Sequence, residues 1–508
     1  MLLQKPRTKR SSPRPALTLD RDGGLPLRRQ IADGIRAWVR DGRVRPGDQL
    51  PTVRDLAAAL GVDRNTVASA YGDLARDGLV EGGARAGTRV RPPAATTPGT
   101  TPAPRASETP AEPHAEVQRV LAAGLERPGV ISLVGGRADP QLFFSPPVRA
   151  ALRRAVREGD AGLLDYGPAA GDPELREELR RRLAAQDIAT GAEDTVIVSG
   201  SQQGFDLVLR LLTREGDVVA LEEPCYQGAA SLVRAHRLRA LPVPIDAEGM
   251  DPAELERRGA ATPPRLIYVT PSFQNPTGAL MGRPRREALL RAARRLGATI
   301  LEDSCFHELR YESRVAPPLR ALPGGEDGIL LGSFSKSLFP GLRVGWVTAP
   351  TPIARDLAQL KRAADLGTGT LVQRLVLELL KGGVLEKQLR RVRPIYRARR
   401  DGMLAALRRH LPAGVRWTEP KGGLVLWVAL PRGRGSMELF RRAAAEGVLT
   451  SPGALFDTEG RDLDGLRLSF ASAGPREVEQ GVRKLAALIQ EPRNENPRRR
   501  AAEVAALL

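Results

Sequence analysis

Residues 333–345 read Ser333-Phe334-Ser335-Lys336-Ser337-Leu338-Phe339-Pro340-Gly341-Leu342-Arg343-Val344-Gly345. A lysine between hydroxyls, with an arginine seven residues later, is a donor set that can hold an aldehyde as an imine while hydroxyls and guanidinium bind a nearby phosphate. Taken alone, such a lysine reads equally well as a solvated charge, so its surroundings decide. The stretch lies between two short apolar runs, Ile329–Gly332 and Val344–Thr348, and the alternation of such runs with helical spacing continues in both directions. Thr195–Ser199, Val218–Leu221, Leu266–Thr270 and Thr299–Leu301 complete the expected central strands. Residues 115–490 therefore read as an α/β domain with a mostly parallel central sheet, and such sheets place ligands at the carboxyl ends of their strands.

Several suggestive groups fall just after those ends. Ser199-Gly200-Ser201-Gln202-Gln203 leaves a strand and opens a helix, so its free amides and dipole form an anion site. Glu302-Asp303 offers a carboxylate for a pyridinium nitrogen, or equally a helix cap. Asn275, within Gln274-Asn275-Pro276-Thr277-Gly278, can donate to a phenolic oxygen, and Tyr226 offers a flat face for a ring. With Lys336, these are the groups that pyridoxal phosphate requires.

Together, and in this order, the motifs resemble the fold type I aminotransferases over roughly 370 residues. The resemblance implies that Lys336 is the catalytic Schiff-base lysine, Asp303 the pyridinium partner, Asn275 the ring-oxygen donor and Tyr226 the stacking aromatic. It places Ser201, Gln202, Ser333 and Arg343 at phosphate-binding positions, with Ser335 as a possible addition. Tyr166 matches the tyrosine that reaches the phosphate in the partner subunit, which implies a homodimer. Arg467, in Leu466-Arg467-Leu468-Ser469-Phe470 and read as lying on an edge strand, matches the arginine that binds a substrate carboxylate. One departure is Cys305, where relatives commonly carry a second tyrosine donor to the ring oxygen; its expected role is that of a buried apolar filler.

At 508 residues, with 42% apolar and 27% charged residues, the chain exceeds one core and reads as a soluble protein of two domains. No apolar run approaches the ~20 residues of a bilayer crossing and no signal-type segment opens the chain, so a cytoplasmic protein is expected. Two cysteines, Cys225 and Cys305, build no disulfide framework and share no metal-type spacing with histidine, so no metal site is expected. His114, His236, His307 and His410 fall outside every motif and are expected at the surface. Only eight of the 78 basic residues are lysine, which adds weight to any lysine in a motif.

The charge is uneven. Residues 1–91 carry 18 Lys or Arg against 10 Asp or Glu, a density that favours phosphate backbones. Helical spacing at Leu27, Ile31, Ile35, Trp38 and Val39 precedes the turn Arg45-Pro46-Gly47-Asp48. Thr52 can cap a second helix that Gly61 closes, and Asp63 a third with Val67, Ala70, Tyr71 and Leu74 inward. Two helices joined by Gly61-Val62 form a helix-turn-helix, and the stretch from Gly78 to Val90 reads as a two-stranded wing.

The run from Pro46 to Ala57, followed by Leu60-Gly61-Val62-Asp63-Arg64-Asn65-Thr66-Val67, resembles the winged-helix domain of the GntR family. That resemblance implies DNA contacts by Arg54, Arg64, Thr66 and Gly87. Many members carry a further arginine where this chain has Ala68. The division expected is a basic arm (1–24), the winged helix-turn-helix (25–91), a Pro/Thr/Ala-rich linker (92–114), the aminotransferase-like domain (115–490) and a basic tail (491–508).

This combination resembles the MocR/GabR subfamily of transcription regulators. It implies a regulator that binds promoter DNA and senses an amine, an amino acid or pyridoxal phosphate itself. Two other readings stay open: a working aminotransferase with a basic appendage, and a DNA-binding protein whose large domain is inert and cofactor-free.

Overall fold

The computed structural model describes residues 17–21, 24–82, 87–91, 112–136, 138–157, 159, 161–312 and 315–491. The expected arm up to residue 16, most of the linker (92–111) and the tail from 492 lie outside the described residues. The chain divides into two compact units, at Pro110 and Ala111.

In the first unit three helices, Leu27–Arg40, Val53–Leu60 and Arg64–Arg76, precede an antiparallel pair, Val80–Glu81 with Arg89–Val90. The local signals act as expected. Thr52 Oγ1 accepts the Asp55 amide at 3.1 Å, Gly61 ends the second helix at φ +62°, and Asp63 accepts the Asn65 amide at 2.7 Å. Ile31, Ile35, Trp38, Val67 and Leu74 meet in one buried core. Burying each such side chain contributes about 1.5–3 kcal/mol, which is what holds a helix of only eight residues in place.

The arm does not end at residue 24. Leu17 and Leu19 pack on this core, and Arg21 Nη2 donates to the carbonyls of Leu60 and Gly61 at 3.2 and 2.8 Å. The free carbonyls at the end of the second helix give this arginine a partner, so part of the basic stretch belongs to the folded unit.

The second unit begins earlier than expected. The helix Glu112–Leu125 starts inside the stretch read as linker, because Val117 and Val120 are buried beside Phe440 and Phe456. The main sheet has eight strands in the order Thr195–Val198, Gly345–Thr348, Ile329–Ser333, Thr299–Asp303, Leu266–Val269, Val218–Glu223, Arg239–Asp246, Gly249–Met250. Pairing is parallel from Ile329–Ser333 through Arg239–Asp246, while Gly345–Thr348 runs against both neighbours. All six expected strands are in this sheet, and Arg239–Asp246 is an addition. Pro242 and Pro244 lack the N–H a central strand needs, and the outer side of this strand is paired only at Ile245 and Asp246.

A second sheet of four strands runs Arg416–Trp417, Val425–Ala429, Gly465–Ser469, Ser451–Pro452. Arg467 therefore does not lie on an edge strand: its strand is paired on both sides, because the alternating apolar residues Leu466 and Leu468 are needed in the core. Among the described residues no helix is long and apolar enough to cross a membrane, and no cluster of side chains could hold a metal ion.

Candidate cofactor site and DNA-binding face

Because the strands are parallel, the segments leaving Val198, Glu223, Val269, Asp303 and Ser333 emerge on one side of the sheet. The antiparallel Gly345–Thr348 begins on that side, which brings Arg343 to the same place. Between these segments lies a cavity of about 320 Å³, lined by nine of the expected residues: Ser201, Gln202, Tyr226, Asn275, Asp303, Ser333, Ser335, Lys336 and Arg343. A larger cavity of about 490 Å³ shares only Cys305 and Ser333 with it and, lined by arginines such as Arg181 and Arg182, contains no lysine. The chemistry therefore belongs to the smaller one.

Lys336 Nζ lies 5.6 Å from the centre of the Phe306 ring. Burial lowers the lysine pKa below its usual value, with Arg467 and Arg343 adding to the effect and Cys305 and Asp303 opposing it. A larger fraction of neutral amine makes it a better nucleophile. Asp303 ends its strand with both oxygens occupied. Tyr268 Oη donates to Oδ2 at 2.8 Å and the Cys305 amide to Oδ1 at 2.9 Å, while Tyr268 stacks on Phe205 at 4.6 Å. Burial pushes the Tyr268 phenol well above its usual range, so it remains a donor. Tyr226 Oη donates to Gln202 Oε1 at 3.1 Å, which sets the angle of its ring against the cavity.

At the opposite end, Gly200 turns at φ +90° ahead of the helix Ser201–Leu212, and a Cβ there would approach Arg343 Nη2 to 2.6 Å. Only glycine allows the guanidinium so close to the helix N-terminus, where the two together attract an anion. Arg343 itself has φ +49° and donates from Nη2 to the Ser199 carbonyl at 3.0 Å. An amine, a carboxylate and an anion cradle around one cavity fit pyridoxal phosphate.

Arg467 reaches the site through Asn275: Nη1 donates to its Oδ1 at 3.0 Å, Nη2 to Ser451 Oγ at 3.1 Å, and the guanidinium lies 4.8 Å from the Phe456 ring. Its Nε is buried without a hydrogen-bond partner, and burial lowers its pKa to about 10. Tyr166 is not brought to the cavity; it is 81% exposed. Cys305 is more than an apolar filler, since it lines the cavity and its Sγ–H donates to Ser201 Oγ at 3.2 Å. Of the four histidines, His114, His236 and His410 are half-buried and only His307 departs fully from the surface. His307 is buried, its Nδ1 3.2 Å from Ser272 Oγ, and burial drives its pKa down to about 3. His236 and His410 pair with Asp206 and Glu479, which draws both rings partly inside.

Sequence reasoning missed Tyr268, Thr270, Phe306 and Pro340. Tyr268 carried one usable signal, its place in an expected central strand that ends at the cavity.

Glu222, just below the site, is buried and accepts from the Thr270 amide at 3.2 Å and Gln274 Nε2 at 3.3 Å. Burial raises its pKa to about 8, and Glu302 is raised to about 7 for the same reason. A carboxyl with a raised folded-state pKa stabilises fully below its unfolded value and loses that contribution as pH rises through the folded one. The melting temperature of the large unit is therefore expected to fall between about pH 5 and pH 8.5, and Glu222→Gln should flatten that fall in a calorimetric series.

On the first unit, Arg54 and Arg64 are exposed at the starts of the second and third helices, and Thr66 is half-buried two residues after Arg64. Gly87, at φ +76°, sits where a Cβ would collide with the Gln49 side chain. Ala68 is exposed on the third helix and adds no charge.

Residues 27–90 match the bacterial regulatory proteins of the gntR family, and residues 139–485 match the aminotransferases of class I and II. A 2-aminoadipate transaminase of Thermus thermophilus is 41% identical over 363 residues, which are 71% of this chain and 90% of that protein. The probable rhizopine catabolism regulatory protein MocR of Rhizobium meliloti is 30% identical over 478 residues, 92% of this chain and 95% of its own length. Among solved structures, the kynurenine aminotransferase of Pyrococcus horikoshii in complex with PMP superposes with a TM-score of 0.71 at 33% identity, covering 74% of this chain and 94% of that one. With a GntR-type DNA-binding unit ahead of a pyridoxal-phosphate-dependent aminotransferase fold, the chain belongs to the MocR-type regulators of the GntR family.

Proposed function

We propose that this regulator senses a small amine or amino acid at Lys336 and converts its arrival into a change in affinity for promoter DNA. The observation that carries the reading is a half-buried lysine in the cavity beside an anion cradle and a carboxylate, on the same chain as a winged helix. Bound pyridoxal phosphate supplies an aldehyde and an electron-withdrawing ring. Lys336 Nζ would anchor the aldehyde, and once released it could serve as a general base in the same cavity. Asp303, held by Tyr268, keeps a proton on the ring nitrogen. Asn275 donates to the ring oxygen, and Tyr226 covers one face. Ser201, Gln202, Ser333, Ser335 and Arg343 hold the phosphate end.

Arg467 gives the site its taste for a carboxylate. Its guanidinium is half used by Asn275 and Ser451, and its unpartnered Nε keeps further donor capacity. Tyr166 supports a homodimer: its phenol is exposed, as are the apolar Phe144 and Leu164, and a second copy would cover it and bring it to the neighbour's phosphate end. Coupling between amine and DNA is reciprocal and worth ~1–3 kcal/mol in such systems.

Gel-shift titration of the DNA upstream of the chain's own gene, with pyridoxal phosphate and a panel of amines, tests the reading. A shift of about fivefold or more is expected with at least one amine. Affinity unaltered across the panel, with cofactor loading verified, rejects sensing of those ligands. Arg467→Ala should weaken carboxylate-bearing effectors about tenfold or more and leave simple amines alone. A second reading, a working aminotransferase, is favoured by the nine expected residues that line the cavity and by the likeness to a transaminase. Steady keto-acid formation that depends on Lys336 would support it.

A further inference from the structure

Arginine fills almost every basic position of this chain, and lysine only eight. One of those eight, Lys361, has no exposed surface at all, and it belongs to no motif. It lies on the helix Thr351–Asp365, which packs against the helix opening at Ser201. Its ammonium is fully occupied. Nζ donates to Asp365 Oδ1 and Oδ2 at 2.9 and 2.7 Å and to Gln203 Oε1 at 3.0 Å. A compact ammonium with three donors fits such a pocket, whereas a planar guanidinium would not find room for its five.

The chain of contacts runs on toward the anion cradle. Gln203 Oε1 also accepts the Ser199 amide at 2.7 Å, and Gln203 Nε2 donates to Asp365 Oδ2 at 2.6 Å. Ser199 in turn is held through its carbonyl by Arg343, and its hydroxyl lies 3.4 Å from Thr368 Oγ1. The Ser199 amide, just ahead of the helix, is thus held from behind through Gln203 by an ion pair whose lysine is buried and whose carboxylate is half-buried. The pair also leaves the Asp365 carboxylate, which accepts from Gln203 Nε2, without an uncompensated charge.

We infer that Lys361 is a positioning residue, holding Gln203 and Asp365 so that the Ser199–Gln202 turn presents its amides to the cofactor's phosphate and meets no opposing charge there. The inference rests on the phosphate-end roles proposed above for Ser201, Gln202 and Arg343. It assigns the protein's preference for a phosphorylated over an unphosphorylated pyridoxal to a lysine that never touches either.

The test is the ratio of the dissociation constants of pyridoxal and pyridoxal phosphate, measured by fluorescence or calorimetry on the full chain without any reaction. In Lys361→Met this ratio should fall about tenfold or more, the loss of roughly one charge-assisted contact, through weaker binding of the phosphorylated form alone. Lys361→Met with Asp365→Asn, which removes the uncompensated carboxylate but still leaves Gln203 without its ammonium donor, should recover only part of it. A residue with a merely structural part would weaken both ligands equally and leave the ratio where it was, which overturns the inference. If Lys361→Met does not fold, Gln203→Met breaks the link to Ser199 while keeping the ion pair, and the same fall in ratio is expected; an unchanged ratio there is equally fatal. Arg343→Ala separates the two levels. If it lowers the ratio while the Lys361 and Gln203 variants do not, the phosphate end stands and this inference falls; if it too has no effect, the phosphate-end roles fail and the inference with them.

Discussion

Lys336→Ala is expected to give folded protein that takes up no pyridoxal phosphate covalently: no absorbance near the visible edge, and no mass gained when borohydride follows incubation with the cofactor. The effect is complete, because one amine carries the linkage. Lys361 is buried beside the site, and its ammonium is already committed to Asp365 and Gln203. Absence of a positive charge at 336 also leaves Asp303 and Cys305 facing a neutral side chain, so the cavity itself should persist. In the same variant DNA should still bind, since the winged helix has its own core, but the response to amines should vanish. Retention of the band, or of the borohydride-fixed mass, would transfer the chemistry to another residue and dismantle the site described above.

Arg64→Ala is expected to weaken binding to the specific operator by about 1–3 kcal/mol, roughly five- to 150-fold, while non-specific DNA loses much less. Arg64 is the first residue of the third helix, exposed, and backed by the Asp63 cap that fixes where the helix starts. A side chain there points at base edges when such a helix enters the major groove. Arg54 is exposed at the start of the second helix, and we propose for it a contact to the phosphate backbone. Arg54→Ala should weaken all sequences alike and reduce the salt slope by about one. Footprints that stay unchanged in Arg64→Ala, with affinity intact, would remove that residue from base reading.

Much of the molecule was legible in its residues because the signals were local. The caps at Thr52 and Asp63, the stop at Gly61 and the apolar spacing of Ile31, Ile35 and Trp38 each involve neighbours a turn or two apart, where chain connectivity leaves few alternatives. The lysine loop, the Gly200 turn and the Asn275 turn were legible for a related reason: each follows an apolar run, and parallel pairing alone sends all such segments to one side of the sheet. What failed depended on partners far away in the chain. The free carbonyls of Leu60 and Gly61 draw in Arg21, the core beside Phe440 and Phe456 lengthens the second unit, and pairing on both sides takes Arg467 off the edge.

The amino-acid order alone thus determined two folded units, their classes and the groups that come to line one cavity, since those follow from periodicity, capping and the residue types chemistry demands. Tertiary structure decided how those groups are held. Tyr268 meets Asp303 across adjacent strands, and Lys361 meets Gln203 from a helix 158 positions away. Nothing in a linear pattern marks such pairs, because a buried polar group is secured by whichever distant donor or acceptor the packing brings within hydrogen-bond reach.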